Sequence, residues 1–337
     1  MQDLLCTTLL LLVASTLQVV FCRDTVATEW EKFKAKYNRS YSSTEEEASR
    51  LEIFKSNLRI IEEHNAGESS YRLGVNDLAD LSVAEYRRLL APVAPAARPP
   101  GHSARAAGVW LWTGGSKDWR DEGAVTPVRY RTDRCGSGGR WAFAAADTVE
   151  SAWKIAGNPL VVLSEQQLID CSTDYGTHGC TAGRAEQAFE YLSSSGDGLS
   201  KAADYRYYGG DWESCRSHTG VAHISDWRFT SRASEPELEY VVATVGPTAA
   251  RIDADHTAFQ LYAGGVLHVN HCSTDRPTLA VEVVGFGSED YFGQLVTYWL
   301  IKNSWGPGWG EYGYLKLHKD ANNMCGIATD ASYPLVG

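Results

Sequence analysis

Apolar and polar positions divide the chain into stretches of different texture. Residues 4 to 21 form one uncharged, largely apolar run, which reads as a secretory signal cleaved between about residues 17 and 23. Trp30, Phe33 and Tyr37 then recur at three and four residues, the spacing of one helix face. A longer helix is expected after "SST", where Leu51, Phe54, Leu58 and Ile61 keep the same alternation. Thr44 is read as its N-cap, with Glu47 completing a capping box. Residues 91 to 108, "APVAPAARPPGHSARAAG", have no periodicity and read as an exposed, cleavable linker. Beyond it, "WAFAAADTVESAWKIA" predicts a buried helix stopped by Gly157. "LSEQQLID" predicts a second, capped by Ser164, and "AEQAFEYL" a third. From about residue 240, β-branched and aromatic runs with glycine turns predict strands, as in "AVEVVGFG" and "VTYWLIKNSWG". The pattern gives an α+β class: a helical first module, then a second module that begins helical and ends β-rich.

The chain has 337 residues and a net charge of -11, which argues against nucleic acid as a partner. No stretch after the signal is apolar enough to span a bilayer. Of eight cysteines, Cys6 and Cys22 lie in or beside the signal. Six remain, an even number that reads as three disulfides in a secreted chain, with fifteen pairings open. No pair has the close spacing of a zinc site, so neither metal nor cofactor is expected. Asn38 opens the sequon Asn-Arg-Ser and is a candidate glycosylation site.

The residues resemble the papain family of cysteine peptidases, its cathepsin L-like branch above all. Glu46, Arg50, Phe54, Asn57, Ile61 and Asn65 match the helical pattern E-x3-R-x3-F-x2-N-x3-I-x3-N of the family propeptide. "GVNDLAD" resembles the motif that follows, with Leu78 in place of Phe. "DWRDEGAVTPV" resembles the mature N-terminus, and "LSEQQLIDCSTDYGTHGC" and "KNSWGPGWGEYGY" two further signatures. The resemblance implies a two-lobed fold, a helical lobe plus a β-barrel-like lobe, behind a helical propeptide that inhibits by lying along the cleft. It implies the divisions 1-22 signal, 23-90 propeptide, 91-109 linker with processing region and 110-337 peptidase domain. It also implies the bridges Cys135–Cys180, Cys171–Cys215 and Cys272–Cys325. That leaves no free thiol.

The chemistry departs from the family at three positions. The family reads C-G-S-C-W-A-F where this chain reads "CGSGGRWAF", so two residues are inserted and the nucleophile position is Arg140. A helix N-terminus and an imidazolium stabilise a thiolate there, whereas a guanidinium is repelled by the dipole and cannot attack. Arg140 is read as a solvated surface arginine. The histidine position in "PTLAVEVVGFG" is Leu279, whether counted from Gly287 or from Cys272. Glu282 stands where the family has an apolar strand residue and is read as relaxed constraint or a new surface. The oxyanion glutamine position is Thr132; such a donor is worth about two to three powers of ten in rate. Asn303 and Trp305 remain, read as vestigial and as local structure. Ser137, His268 and His271 are the candidates for a substitute dyad, with surface or strand roles expected for both histidines.

A cysteine-type endopeptidase with a rearranged site is the alternative to a chain without proteolytic activity. The latter is the expectation: a secreted or lysosomal, monomeric homologue, off the membrane once its signal is removed. Its cleft would bind peptides, protease inhibitors or related cysteine proteases. Gly183 matches the glycine that holds extended substrate. Arg129, Arg131, Arg134, Arg140 and Arg184 together would make the rim basic and favour acidic partners.

Overall fold

A computed structural model describes residues 15–90, 102, 112–129, 135, 138–210 and 214–337, with side chains from residue 26 onward. The linker apart from His102, most of the apolar N-terminal run, and Arg131, Thr132, Arg134 and Ser137 lie outside the described residues. No helix among the described residues is long and apolar enough to cross a membrane.

Three apolar cores organise the chain. The first belongs to α1 (Ser15–Lys36) and α2 (Thr44–Asn65), where Trp30, Phe33, Phe54 and Ile61 pack together. The cap of α2 falls one residue before the expected one. Ser43, in extended conformation, accepts from the Glu46 amide, and Glu46 reaches back to the Ser42 amide. Thr44 is already helical, so it cannot serve as the flanking residue that a cap requires.

The six propeptide-motif residues each have a local task. Phe54 is fully buried. Asn57 Nδ2 donates to the carbonyls of Ala79 (2.8 Å) and Leu81 (3.0 Å), and Asn65 exchanges hydrogen bonds with Leu73. Arg50 pairs with Glu85 at 2.9 Å. The motif therefore folds this unit. Docking falls to other residues, on β1 (Tyr71–Leu73), on α3 (Val83–Arg88) and in the segment between them. β1 adds an antiparallel strand to β5 (Tyr262–Leu267), Asn76 donates to the Gln260 carbonyl, and Tyr86 donates to the Ala254 carbonyl at 2.7 Å.

The second core belongs to the helical lobe: α4 (Arg140–Ile155), α5 (Glu165–Cys171) and α6 (Ala185–Ser195). Ser164 caps α5 by accepting from the Gln167 amide, and Gly157, at φ 94°, follows the end of α4. The third core fills an open nine-stranded sheet. Its remaining strands are β2 (Lys117–Asp118), β3 (Asp226–Phe229), β4 (Thr248–Ile252), β6 (Leu279–Tyr291), β7 (Gln294–Lys302), β8 (Tyr314–His318) and β9 (Ser332–Leu335). They run in the order β1-β5-β8-β7-β6-β4-β9-β3, with β2 on β6. α7 (Glu235–Thr244) packs on β6, and the short α8 (Thr257–Gln260) precedes β5. The bridges are Cys135–Cys180, Cys171–Cys215 and Cys272–Cys325, across separations of 45, 44 and 53 residues. His102, inside the linker, stacks on Trp227, and its carbonyl accepts from the Phe229 amide.

Candidate functional site

α4 starts from a crowded loop. A Cβ on Gly138 would stand 2.0 Å from the Cys180 carbonyl oxygen, and one on Gly139 would stand 2.9 Å from Cys135 Sγ. The inserted glycines thus fit against the Cys135–Cys180 bridge because they lack side chains. Gly139 offers no side chain to cap the helix, and no acidic residue lies in its first turn.

The next residue, Arg140, corrects the expectation of a solvated arginine: it is only 4% exposed. Its guanidinium carbon lies 5.1 Å from the Trp305 ring centroid. Trp305 in turn meets the Tyr86 ring edge-on at 5.9 Å. A planar, weakly hydrated guanidinium can leave water against an indole face, which offsets its unfavourable place at the positive end of a helix. Burial pushes the Tyr86 phenol well above its ordinary pKa, against the opposing Arg140 charge. Arg140, Trp305 and Tyr86 therefore stack helix, cleft and propeptide on one another.

Leu279, at the histidine position, opens β6 opposite Ile252 and is 2% exposed within the sheet core. Asn303 follows β7; its Oδ1 accepts from the Ser304 amide at 2.8 Å. Its buried Nδ2 and the Trp305 Nε1 have no hydrogen-bond partner among the described residues. His268 and His271 are exposed. His268 Nδ1 is 2.8 Å from His318 Nδ1, just past β5, with β8 and β7 between it and β6. The structure therefore brings Arg140 and Trp305 together and places neither His268 nor His271 with them; His178, which the sequence reading did not single out, lines the cavity beside Arg140.

Behind α4 lies a buried ionic cluster that sequence reading missed. Lys302 Nζ is 2.9 Å from Asp147 and 3.7 Å from Glu282, and donates to Thr126 Oγ1. Ser151 donates to Glu282 at 3.0 Å. Glu282 is 1% exposed, which corrects its reading as a surface or slack position: it is a partner of Lys302. Arg129 bridges Asp147, Glu150 and Glu165, so it does not belong to a free basic rim. Arg184 likewise pairs with Glu186 at 2.9 Å. Desolvation drives the titration here, moderated by the nearby cations. Burial pushes Glu165 up to about 7 against Arg129, and Glu282 up to about 8 against Lys302. Burial would raise Asp147 too, but Lys302 and Arg129 outweigh it and hold that carboxyl low.

Gly183 approaches so closely that a Cβ there would meet the Trp141 indole at 2.3 Å. It borders, with Arg140 and Ala280, a cavity of about 350 Å³. Three charged residues of that wall, Glu186, Arg251 and Asp330, escaped the sequence reading. The signal was there: Arg251 interrupts the apolar run "TAARI" of β4. As for metal, Cys171, Cys215 and His218 are grouped closely enough, but the two sulfurs are bonded to each other and give no thiolate ligand.

Residues 114–335 match the papain family cysteine protease model, and residues 30–86 match the cathepsin propeptide inhibitor domain. The chain is 42% identical over 315 residues to cathepsin J of Mus musculus, covering 91% of each. It is 36% identical to cathepsin L of Sarcophaga peregrina, covering 97% of this chain and 98% of that one. The digestive procathepsin L2 proteinase of Tenebrio molitor larval midgut superposes with a TM-score of 0.83 at 37% identity, over 92% of this chain and all of that one. Sequence, topology and propeptide agree, and the chain belongs to the papain family of cysteine peptidases, on its cathepsin L-like side, with an attached propeptide inhibitor domain.

Proposed function

We propose that this chain is a non-catalytic member of its family, secreted or lysosomal, whose cleft binds peptides, protease inhibitors or related proteases without cutting them. One observation carries the reading. The nucleophile position is a buried arginine packed on Trp305, while the base position is a leucine sealed in the sheet core. An arginine cannot attack a carbonyl, and a leucine cannot take a proton. In a comparable triad, loss of either partner costs on the order of a million-fold in rate. The apolar N-terminal run and the three disulfides support an oxidising destination.

A second reading, an endopeptidase with a rearranged site, draws support from the relatives, which include digestive cysteine proteinase 2 of Homarus americanus at 38% identity. Ser137 is its candidate nucleophile from the sequence; His268 pairs with His318 across the sheet, and His178 is a described histidine that lines the cavity with Arg140. The two readings part on self-processing. Purified proform held at mildly acidic pH should stay intact in the linker spanning 91 to 108. Concentration-independent cutting there, surviving repurification, would overturn the non-catalytic reading.

A further inference from the structure

The cavity beside Arg140 holds a buried arginine, Arg251, two of whose donors its described walls leave unmatched. Its charged lining also includes Arg184, Glu186 and Asp330. Both carboxylates are already engaged by arginine. Glu186 is 2.9 Å from Arg184, and Asp330 is 2.9 Å from Arg251 Nη2. Glu186 is also 3.9 Å from that same Nη2. Arg251 is 5% exposed and comes from the middle of β4, so its guanidinium cannot swing out to water. Yet its Nε and Nη1 have no hydrogen-bond partner among the described residues. Buried donors of this kind gain most from an acceptor that arrives with its own negative charge.

We propose that this cavity is a carboxylate-binding pocket, which takes an acidic side chain or the C-terminal carboxylate of a peptide lying in the cleft, with Arg251 as the recognising group. The inference rests on the reading of the cleft as a peptide-binding site and gives that site its ligand chemistry. At about 350 Å³ the cavity is sized for one side chain rather than for a folded partner. The chain's own linker cannot supply the ligand, because residues 91 to 109 contain no Asp or Glu. Gly183, held against the Trp141 indole, leaves the approach to the pocket free of a side chain.

The test uses acetylated hexapeptide amides with Glu, Gln or Lys fixed at each position in turn, and a free-acid version of the Gln set. Binding is followed by calorimetry on the full chain and on the chain nicked in its linker. Glu at one position should bind about tenfold or more tighter than its Gln isostere, the range for a hydrogen bond to a charged group. A preference restricted to the free acids would instead locate the ligand at a C-terminus. The double variant Arg251→Met with Asp330→Asn removes the buried pair together, so neither partner is stranded. With its melting temperature retained, it should bind Glu and Gln peptides within about twofold of each other. Equal binding of Glu, Gln and Lys peptides by the unaltered protein would overturn the pocket while leaving peptide binding in place. Preference for Lys would hand the pocket to Glu186 and Asp330 and also overturn it. Binding of none of the peptides to either form would overturn the pocket and the peptide-binding reading together.

Discussion

The propeptide and the floor of the cleft obey opposite rules. In the propeptide, polar motif residues find partners: buried Asn57 holds two carbonyls and half-buried Asn65 a reciprocal pair. In the cleft, Asn303 Nδ2 and Trp305 Nε1 are buried and unmatched among the described residues, and a leucine fills the place of a base. The difference separates what folding requires from what catalysis requires. Residues that pack and hydrogen-bond the propeptide match the family pattern, while the family's nucleophile and base positions hold Arg140 and Leu279. The propeptide's six motif residues act inside their own unit, so folding alone accounts for them.

Several substitutions sharpen this contrast. The largest effect should come from rebuilding the chemistry: deletion of Gly138 and Gly139 together with Arg140→Cys and Leu279→His. Because loss of nucleophile or base costs on the order of a million-fold in a comparable triad, any competent dyad would lift peptide-amide turnover by orders of magnitude above the parent. An inert but folded rebuilt chain would mean that the cleft has lost more than its dyad.

On the propeptide side, Phe54→Ala empties a fully buried site packed against the tilted rings of Trp30 and Phe33. It should cost about 3–5 kcal/mol, read as loss of the propeptide's unfolding transition. A shift under about 1 kcal/mol would break the claim that the motif is structural.

The ionic cluster makes a prediction about pH. Glu165 and Glu282 have carboxyls raised to about 7 and about 8 by burial, above their ordinary range. The native state therefore binds their protons more tightly than the unfolded chain does. Their stabilising contribution is full below about pH 4.5 and is lost as pH rises through 7 to 8. At about 1.4 kcal/mol per pKa unit, Glu165 is worth on the order of 3 kcal/mol and Glu282 on the order of 5 kcal/mol across that window. Chemical denaturation should show a higher midpoint at pH 5 than at pH 8, and Glu282→Gln should flatten the slope. A midpoint that rises with pH would contradict the assignment.

A smaller effect is expected at the junction of the two regions. Tyr86→Phe removes the hydrogen bond to the Ala254 carbonyl and should weaken propeptide docking by about 1 kcal/mol. Nicked chains would then release the propeptide roughly fivefold more readily, measurable by size exclusion.

Much of this was legible in the sequence because it is local. The 3.6-residue spacing of Leu51, Phe54, Leu58 and Ile61 found α2, and Ser164 marked the start of α5. The resemblance supplied the bridges. What escaped depends on distant partners. Glu282 looked like a slack strand position because Ser151 lies 131 residues away and its Lys302 partner projects from the neighbouring strand. Arg140 looked solvated because Trp305 is far along the chain. Arg251 was visible as a charge inside an apolar strand, but its two unmatched donors emerge only once Glu186 and Asp330 are placed beside it. Charge in a sequence announces itself; its compensation does not.

The most direct test of the central claim is hydrolysis of peptide amides at mildly acidic pH by the folded chain. Its linker would first be cut by an added protease that is then removed. The account predicts turnover no higher than the buffer blank, alongside an active papain-family peptidase as control. Turnover that persists through repurification and scales with protein concentration would contradict it, and would mean that the chemistry has moved rather than gone.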